Sequence, residues 1–309
     1  MIPIVFAFDH NLLLPAQICL SSLLVNANKG VIYDIYILYP ETDNILLEDF
    51  NSVISQYDNC RLQLKPIGNI FTNAFEIRGI TSPAYYRLLI PELILEYDKV
   101  IYSDVDVIFR MDLSELYSIN LGDNYLAATR DLGLNLSQDG IDYIHSMSEL
   151  EIGNYLQSGF IVLNSEKIRK DGLVNEFIRH AERKLKFQDQ DILNIVCKGR
   201  VKWLPLEYNM TDYSFYYAQR ERGRLYRWFN DETINNAMQT GNLHFNGHKP
   251  WKKYCVNFDI WWEYYRKSPF YDEQFYFDFY YNKLDELDTL PLLKRIKILL
   301  RYFRYGRKK

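Results

Sequence analysis

The stretch Lys99–Phe109 reads KVIYSDVDVIF and joins an apolar run to two carboxylates. Lys99–Tyr102 has the composition of a buried strand. Asp104 and Asp106 follow it one residue apart, and the sequence then turns apolar again. Two carboxylates at i and i+2 can reach one cavity if the chain turns there, and their oxygens favour Mg²⁺ or Mn²⁺, which would neutralise a diphosphate. The alternative is an aspartate cap followed by a solvated turn.

Strand and helix patterns alternate on both sides of this stretch, which predicts an α/β fold with a mostly parallel sheet. The predicted strands are Ile4–Phe8, Val31–Tyr39, Arg61–Ile67, Lys99–Tyr102, Ser158–Asn164 and Gly241–Phe245. The predicted helices are Ala16–Val25, Ile45–Ile54, Tyr85–Leu95 with a break at Pro91, and Asp189–Val196. Ligands of such sheets bind beyond the carboxyl ends of the strands. Asp9 follows the first strand as Asp104 and Asp106 follow the fourth.

The charge distribution indicates an acidic body and a basic end. The chain has 309 residues, of which 48% are hydrophobic, and a net charge of −4. From Leu290 onward there are eight Lys and Arg and no acid, so the remainder carries 28 basic against 40 acidic residues. This balance gives no nucleic-acid signature, whereas the basic end indicates an anionic partner. We predict a catalytic domain over 1–252 and a helical C-terminal region over 253–309, with the basic tail at about 290–309.

Cysteine usage and hydropathy predict a cytoplasmic setting. The four cysteines show no CxxC spacing, so neither a disulfide framework nor a zinc site is predicted. The N-terminal MIPIVFAFDHN lacks a charged segment and reaches Asp9 too soon for a signal peptide. No apolar run approaches the roughly 20 residues that a membrane span needs.

Three further segments carry candidate ligand-binding side chains. Asn242–Trp251 reads NLHFNGHKPW and offers a histidine for metal binding and a lysine for phosphate, although a lone histidine is often structural. Gln188–Asp191 reads QDQD and opens a predicted helix, where capping alone explains one aspartate. Ser82–Arg87 reads SPAYYR, which is either a surface helix start or an arginine facing an anionic ligand.

Together these segments resemble glycosyltransferase family 8, which includes bacterial lipooligosaccharide galactosyl- and glucosyltransferases and glycogenin. The matching segments, in order, are IPIVFAFDHN, SPAYYRLLIPELI, YSDVDVIF, YLQSGFIVLN, FQDQDILN and HFNGHKPW, and they cover roughly residues 1–252. The resemblance implies a GT-A fold, a Rossmann-like sheet with helices on both faces. It also implies transfer of a hexose from a UDP-sugar with retention of configuration, using Mn²⁺ or Mg²⁺.

The resemblance also implies roles by position. Asp104, Asp106 and His244 would bind the metal. The residues implied to contact the donor are Ala7, Asp9, Asn11, Arg87, Asp104, Val105, Gln157, Asp189, Gln190, Gly247 and Lys249. Of these, Ala7, Asp9 and Asn11 belong to the nucleoside end, and Gly247 and Lys249 to the diphosphate. Relatives usually have Asn or a similar residue where Gln157 stands, which bears on the identity of the sugar.

Three residues are implied in the chemistry itself. Asp131 would face the donor sugar, and Gln190 would stabilise the oxocarbenium-like centre. Front-face attack and a covalent intermediate are both open for this family. If a nucleophile exists, Asp191 is the candidate.

The C-terminal segment has the pattern of a basic amphipathic helix. Its apolar stripe consists of Leu292, Leu293, Ile296, Leu299, Leu300 and Phe303, while Lys297, Arg301 and Arg304 occupy other faces. Such a helix is typical of an interfacial membrane anchor. The alternative is a helix packed on its own domain or on another chain.

The sequence therefore predicts a UDP-sugar-dependent, retaining hexosyltransferase at the cytoplasmic face of the membrane. Its acceptor would be a surface glycan, lipid-linked or protein-linked, and no nucleic-acid partner is expected. Two alternatives stay open. One is a haloacid-dehalogenase-type phosphatase, because DVDV resembles that nucleophile motif. The other is a transferase-like subunit that binds without catalysis.

Overall fold

A seven-stranded sheet forms the centre of the chain, which the computed structural model describes over residues 1–71, 74–75 and 82–305. The strands are β1 (Ile2–Ala7), β2 (Tyr33–Pro40), β3 (Cys60–Ile67), β4 (Lys99–Ser103), β5 (Val107–Ile108), β6 (Leu126–Arg130), β7 (Leu156–Asn164), β8 (Val201–Trp203), β9 (Met210–Thr211) and β10 (Leu243–His244). The order in the large sheet is β3-β2-β1-β4-β7-β6-β8, and β5-β10-β9 form a small second sheet.

Helices alternate with the strands along the first unit and continue after the last strand. They are α1 (Leu13–Val25), α2 (Asn51–Gln56), α3 (Pro83–Tyr86), α4 (Ile90–Leu93), α5 (Ser114–Ser118), α6 (Leu132–Leu136), α7 (Gln138–His145), α8 (Ser165–Lys170), α9 (Leu173–Ala181), α10 (Gln188–Val196), α11 (Asp212–Arg220), α12 (Asp231–Thr240), α13 (Phe258–Lys267), α14 (Glu273–Asp288) and α15 (Leu292–Tyr305). The 3-10 turns are His10–Leu12, Leu47–Phe50, Arg87–Leu89, Leu206–Tyr208 and Arg222–Leu225.

The predicted α/β fold with a mostly parallel sheet is confirmed. The pairs β3–β2, β2–β1, β1–β4 and β6–β8 are parallel. β7 is the exception, because it runs antiparallel to both β4 and β6. Its first residues therefore lie beside the last residues of β4, so a segment that begins a strand also reaches the edge where ligands of such sheets bind.

Two predicted helices are shorter than expected. Tyr85–Leu95 is not one helix but α3, a 3-10 turn and α4 in succession. Pro91 does not break a helix here; it lies at the start of α4, where its missing N–H costs no hydrogen bond. Likewise Ile45–Ile54 divides into the 3-10 turn Leu47–Phe50 and α2.

The two carboxylates of the opening stretch lie between the two sheets. β4 is buried from Val100 to Ser103, and its pairing in the large sheet ends at Ser103. The Asp104 N–H then donates to the Gly159 carbonyl at 2.7 Å, beside the start of β7. Three residues later β5 pairs with β10, placing Val107 opposite His244. The chain thus turns at Asp104–Asp106 because it changes partners, and this turn brings His244 to both carboxylates.

By its backbone contacts the chain divides into two units, Met1–Pro269 and Phe270–Lys309. The first ends after α13, whose Trp261, Trp262 and Tyr265 are buried. The second contains α14 and α15; in it the Arg295 guanidinium donates to the Leu290 carbonyl at 2.8 Å. The predicted boundary between 252 and 253 stays a prediction. Among the described residues, no helix has the length and apolar content to cross a bilayer.

Candidate functional site

Three side chains from the two sheets converge at the end of β4. Asp104, Asp106 and His244 each offer one ligand atom, and these atoms all lie within 4.8 Å of one another. His244 Nε2 is 3.2 Å from Asp106 Oδ1 and 3.7 Å from Asp104 Oδ2. The structure thus brings together the three residues that the sequence predicted as metal ligands. They meet beside the pairing of β5 with β10.

The chemistry of this group fits a divalent cation. Asp106 Oδ1 is buried and has no hydrogen-bond partner in the described part of the chain. Burial raises the pKa of Asp106, but Lys249 and His244 outweigh burial and hold that pKa below its ordinary value. A buried, ionised carboxylate oxygen is costly unless a cation or a donor compensates it. Two carboxylates and an imidazole nitrogen suit Mn²⁺ or Mg²⁺.

Asp104 has its two oxygens in different surroundings. Oδ1 accepts hydrogen bonds from the Tyr102 hydroxyl at 2.7 Å and from Arg87 Nη2 at 2.8 Å. Oδ2 faces His244. Because Oδ1 is fixed by two donors, the carboxylate plane is held with Oδ2 towards the other ligand atoms.

Arg87 is buried and contacts this group through Asp104. Its side chain is 6% exposed and contacts Asp104 on one side and Asp189 on the other, the latter at 3.2 Å from Nε. Nη1 donates to the Ser158 carbonyl at 2.8 Å, and the guanidinium stacks 4.3 Å from the Tyr102 ring centroid. All three guanidinium nitrogens therefore contact the protein. The predicted contact between Arg87 and a donor stays a prediction.

A chain of hydrogen bonds continues from Arg87 to Asp131. The Ser158 hydroxyl donates to Asp189 Oδ2 at 2.9 Å. The Ser158 N–H donates to Gln190 Oε1 at 3.0 Å, and Gln190 Nε2 donates to Asp131 Oδ2 at 3.0 Å. Asp131 also caps α6 through the Leu134 N–H. The predicted residues Arg87, Asp104, Asp131, Asp189 and Gln190 thus belong to one connected network.

Asp191 is the predicted site residue that the structure does not bring to this group. Its side chain is fully buried on α10. Oδ1 accepts from the Tyr155 hydroxyl at 2.5 Å, and Oδ2 accepts from the Tyr143 hydroxyl at 2.5 Å and the Phe187 N–H at 2.8 Å. A carboxylate enclosed by three donors anchors its helix and is not placed to attack a sugar.

Lys249 and Gly247 lie on the segment after β10. Lys249 Nζ pairs with Asp106 Oδ2 and donates to the Phe245 carbonyl at 2.7 Å. A Cβ on Gly247 would lie 2.3 Å from Asp212 Oδ2, so a larger residue there would displace the Asp212 carboxylate. Asp212 itself was not predicted, and burial raises its pKa above the ordinary value.

The predicted nucleoside-binding residues lie at the end of β1 and just after it, at the same sheet edge. Val5 on β1 pairs with Tyr102 on β4, so Ala7 lies level with Asp104. Asp9 accepts the Asn11 N–H at 3.0 Å and so caps the 3-10 turn that follows. Val105, between the two ligand aspartates, is 3% exposed and packs in the core. Their predicted contacts with a donor stay predictions.

Several residues of the site were missed by the sequence reasoning. These are Tyr102, Ser158, Gly159, Asn209 and Asp212. A Cβ on Gly159 would lie 2.4 Å from both Asp104 Oδ2 and His244 Cε1, so glycine is needed for the ligands to approach β7. A glycine inside the apolar run SGFIVLN is a signal that could have found it, since strand glycines often mark close approach.

Comparisons with known proteins agree with this geometry. The model of glycosyl transferase family 8 matches residues 3–255. A putative glycosyltransferase of Haemophilus influenzae is 29% identical over 213 residues, which are 67% of this chain and 63% of that protein. The lipopolysaccharide 1,2-glucosyltransferase of Escherichia coli is 25% identical over 264 residues, 82% of this chain and 73% of that protein.

Solved structures show the same fold. The galactosyltransferase LgtC, solved with donor and acceptor sugar analogues, has a TM-score of 0.71 at 26% identity, covering 88% of this chain and 98% of that chain. The WbbM bifunctional glycosyltransferase has a TM-score of 0.70 at 25% identity, covering 89% of this chain. The chain spans only about half of WbbM, 51%, and less than two thirds of the Haemophilus protein, 63%.

The enclosure of Asp191 generates a prediction about stability. Replacing Asp191 by Asn leaves at least one of its three donors without an acceptor. Since a hydrogen bond to a charged group contributes about 1.5–3 kcal/mol, we expect the free energy of unfolding in urea to fall by roughly 3 kcal/mol. Asp58→Asn, at an exposed aspartate, is the control and should change it by less than about 0.5 kcal/mol. Equal stability of both variants would contradict the anchoring role.

Asp189 generates a prediction about pH. Burial raises the pKa of Asp189 to about 6, although the Arg87 guanidinium opposes this. The unfolded chain loses this proton near pH 3.9, so between about pH 4 and 6 the native state binds the extra proton. The contribution of Asp189 to stability is therefore complete below that window and is lost as pH rises through it. In EDTA, the stability difference between wild type and Asp189→Asn should fall from pH 4 to 6; a rise would contradict this assignment.

Proposed function

The chain belongs to glycosyltransferase family 8, and on this premise we propose that it transfers a hexose from a UDP-sugar to a glycan acceptor with retention of configuration. The observation that carries the proposal is the convergence of Asp104, Asp106 and His244 with Lys249 beside them. Three ligand atoms and one ammonium at a single sheet edge suit a diphosphate leaving group. Membership of this family leaves no support for the phosphatase alternative.

Asp104, Asp106 and His244 would hold the metal ion, Mn²⁺ or Mg²⁺. Once bound, that ion would neutralise the charge that develops on the UDP leaving group. Lys249 acts in the same place, because it pairs with the ionised Asp106 and lies on the segment after β10. We assign to Lys249 the binding of a diphosphate oxygen, with Gly247 allowing the backbone to approach the phosphates.

The network under the ligands would orient the donor sugar. Asp131 and Gln190 are joined by a hydrogen bond, and Gln190 is fixed by the Ser158 N–H. We propose that Asp131, Asp189 and Gln190 face the sugar, while Arg87 pairs with both Asp104 and Asp189. Because Asp191 is enclosed, front-face attack is the route that needs no nucleophile at that position.

The nucleoside and the acceptor are assigned by analogy. Ala7, Asp9 and Asn11, at the edge beyond β1, would bind the uridine end. The relatives that are named glucosyltransferase and galactosyltransferase favour UDP-glucose or UDP-galactose as the donor. An acceptor in lipopolysaccharide or a similar surface glycan, lipid-linked or protein-linked, fits the same relatives.

We further propose that α15 binds an anionic membrane surface, at the cytoplasmic face. Leu292, Leu293, Leu299 and Leu300 are each more than half exposed, which is unusual for four leucines in one helix. Lys294 and Lys297 lie in the same helix. Further basic residues and Phe303 were also predicted to contribute. They fall on the side chains of residues 301–305 and on residues 306–309, which lie outside the part that the structure describes.

The assigned site is tested by two alanine substitutions. Purified protein should release UDP from one of a panel of UDP-hexoses in the presence of Mn²⁺. In Asp104→Ala and Asp106→Ala that release should fall by at least about 100-fold, since a charge-stabilising group at the leaving group is removed. Asp58→Ala, at an exposed aspartate, should match wild type.

Two results would count against this proposal. Near-normal turnover in either variant would show that the metal site is assigned wrongly. UDP binding by the wild type without release from any donor or acceptor would favour the non-catalytic subunit.

The membrane proposal is tested by charge reversal in α15. A basic residue near an anionic surface contributes about 1 kcal/mol, so Lys294→Glu with Lys297→Glu should weaken binding to phosphatidylserine vesicles by roughly 30-fold or more. Lys170→Glu with Lys184→Glu makes the same charge change at exposed positions of the first unit and is the matched control. Equal sedimentation of both double variants with vesicles would exclude α15 as the contact.

A further inference from the structure

Two buried amide side chains connect the backbone of β7 to the imidazole of His244. The Gly159 N–H donates to Gln157 Oε1 at 2.8 Å. Asn209 Nδ2 donates to the same oxygen at 2.7 Å. Asn209 Oδ1 then lies 2.9 Å from His244 Nδ1. Gln157 is 6% exposed and Asn209 2% exposed, so water has little access to replace either contact.

The direction of these hydrogen bonds is set by the first donor. A backbone N–H can only donate, so the Gln157 atom that meets Gly159 is the oxygen. The Asn209 atom that meets this oxygen must be its NH₂ group, which turns the Asn209 oxygen towards His244. That oxygen can only accept, so Nδ1 of His244 carries the hydrogen. In the neutral ring the lone pair is then on Nε2, and Nε2 is the atom 3.2 Å from Asp106 Oδ1.

Two carboxylate oxygens lie near Nε2 in the described part of the site. Asp106 Oδ1 has no hydrogen-bond partner there, and Asp104 Oδ2 is a second acceptor at 3.7 Å from Nε2. These two oxygens and Nε2 are the three ligand atoms that face one another. A histidine that binds a metal must present a neutral, unprotonated nitrogen in this way, and a hydrogen bond at the other nitrogen fixes its orientation.

We propose that Gln157 and Asn209 are positioning residues, which keep a hydrogen on Nδ1 of His244 and so aim Nε2 at the cation position. This inference rests on the metal site of the proposed function. It reassigns Gln157, which the family resemblance placed against the donor sugar. In the structure its oxygen instead binds a backbone N–H and Asn209, so its effect on catalysis passes through His244.

The fold itself supplies the geometry of this relay. Gln157 lies at the start of β7, and Asn209 directly precedes β9, which pairs with β10. Thr129 on β6 receives the second N–H of the Asn209 amide at 3.3 Å. The amide group is therefore held by three strands, and rotating it would lose contacts on both of its ends.

The experiment compares Gln157→Met, which removes the accepting oxygen at similar size, with Gln157→Glu, which keeps an accepting oxygen. Asn209→Leu removes the acceptor at His244 Nδ1 directly. Two quantities are measured on each full-length variant. One is the Mn²⁺ dissociation constant without nucleotide, by electron paramagnetic resonance. The other is the pair of imidazole ¹⁵N shifts of His244 in metal-free protein, assigned by comparison with His244→Gln.

We expect wild type and Gln157→Glu to show a hydrogen on Nδ1 and similar Mn²⁺ affinity. In Gln157→Met and Asn209→Leu the two ring nitrogens should share the hydrogen, and the dissociation constant should rise about 10–100-fold. Unchanged shifts and affinity in Gln157→Met, with an altered KM for the donor alone, would return Gln157 to the sugar and overturn the relay.

The remaining outcomes also decide the matter. A wild-type protein that does not bind Mn²⁺ contradicts the proposed metal site, while its His244 shifts still test the relay. If both Gln157→Met and Asn209→Leu fail to fold by circular dichroism, the wild-type spectrum is decisive. A ring with its hydrogen on Nε2 and none on Nδ1 overturns the proposal, and a hydrogen on Nδ1 upholds it.

Discussion

The constraint on which this structure depends is that two half-buried carboxylates and a buried imidazole face one another. The repulsion between the two carboxylates must be compensated at each oxygen, because an uncompensated buried charge is strongly destabilising. Arg87 and Tyr102 donate hydrogen bonds to Asp104 Oδ1, and Lys249 pairs with Asp106 Oδ2. The atoms left over, Asp104 Oδ2, Asp106 Oδ1 and Nε2 of His244, are the ligand set that we propose for one cation.

The pairing of charged and polar groups continues from the three ligand atoms to Asp131. Arg87 joins Asp104 to Asp189, and Ser158 joins Asp189 to Gln190 and so to Asp131. A substrate group at any one of these residues is therefore held by a connected set of hydrogen bonds rather than by a single flexible side chain. This connectivity suits an enzyme that must hold a sugar and its leaving group in a fixed relation. It also means that substitutions within the network should not be additive.

The sequence allowed the sheet and the turn at Asp104–Asp106 to be predicted because both depend on local pattern: apolar runs of strand length followed by polar residues. The antiparallel direction of β7 could not be predicted, since periodicity carries no direction. For the same reason Ser158 and Gly159 were not expected beside Asp104. In QDQD, four adjacent polar residues point to different sides of a helix start, and only packing shows that Asp191 meets two tyrosines. Asn209 contacts His244 across 35 residues, with no signal of its own in the sequence.

The central claim is that Asp104, Asp106 and His244 bind one divalent cation at the carboxyl end of β4. Anomalous diffraction from crystals grown with Mn²⁺ and UDP tests it directly. The account predicts one strong manganese peak in contact with Asp104 Oδ2, Asp106 Oδ1 and His244 Nε2, with the diphosphate on its open side. UDP bound at this edge with no manganese peak there, or manganese bound only elsewhere, would contradict it.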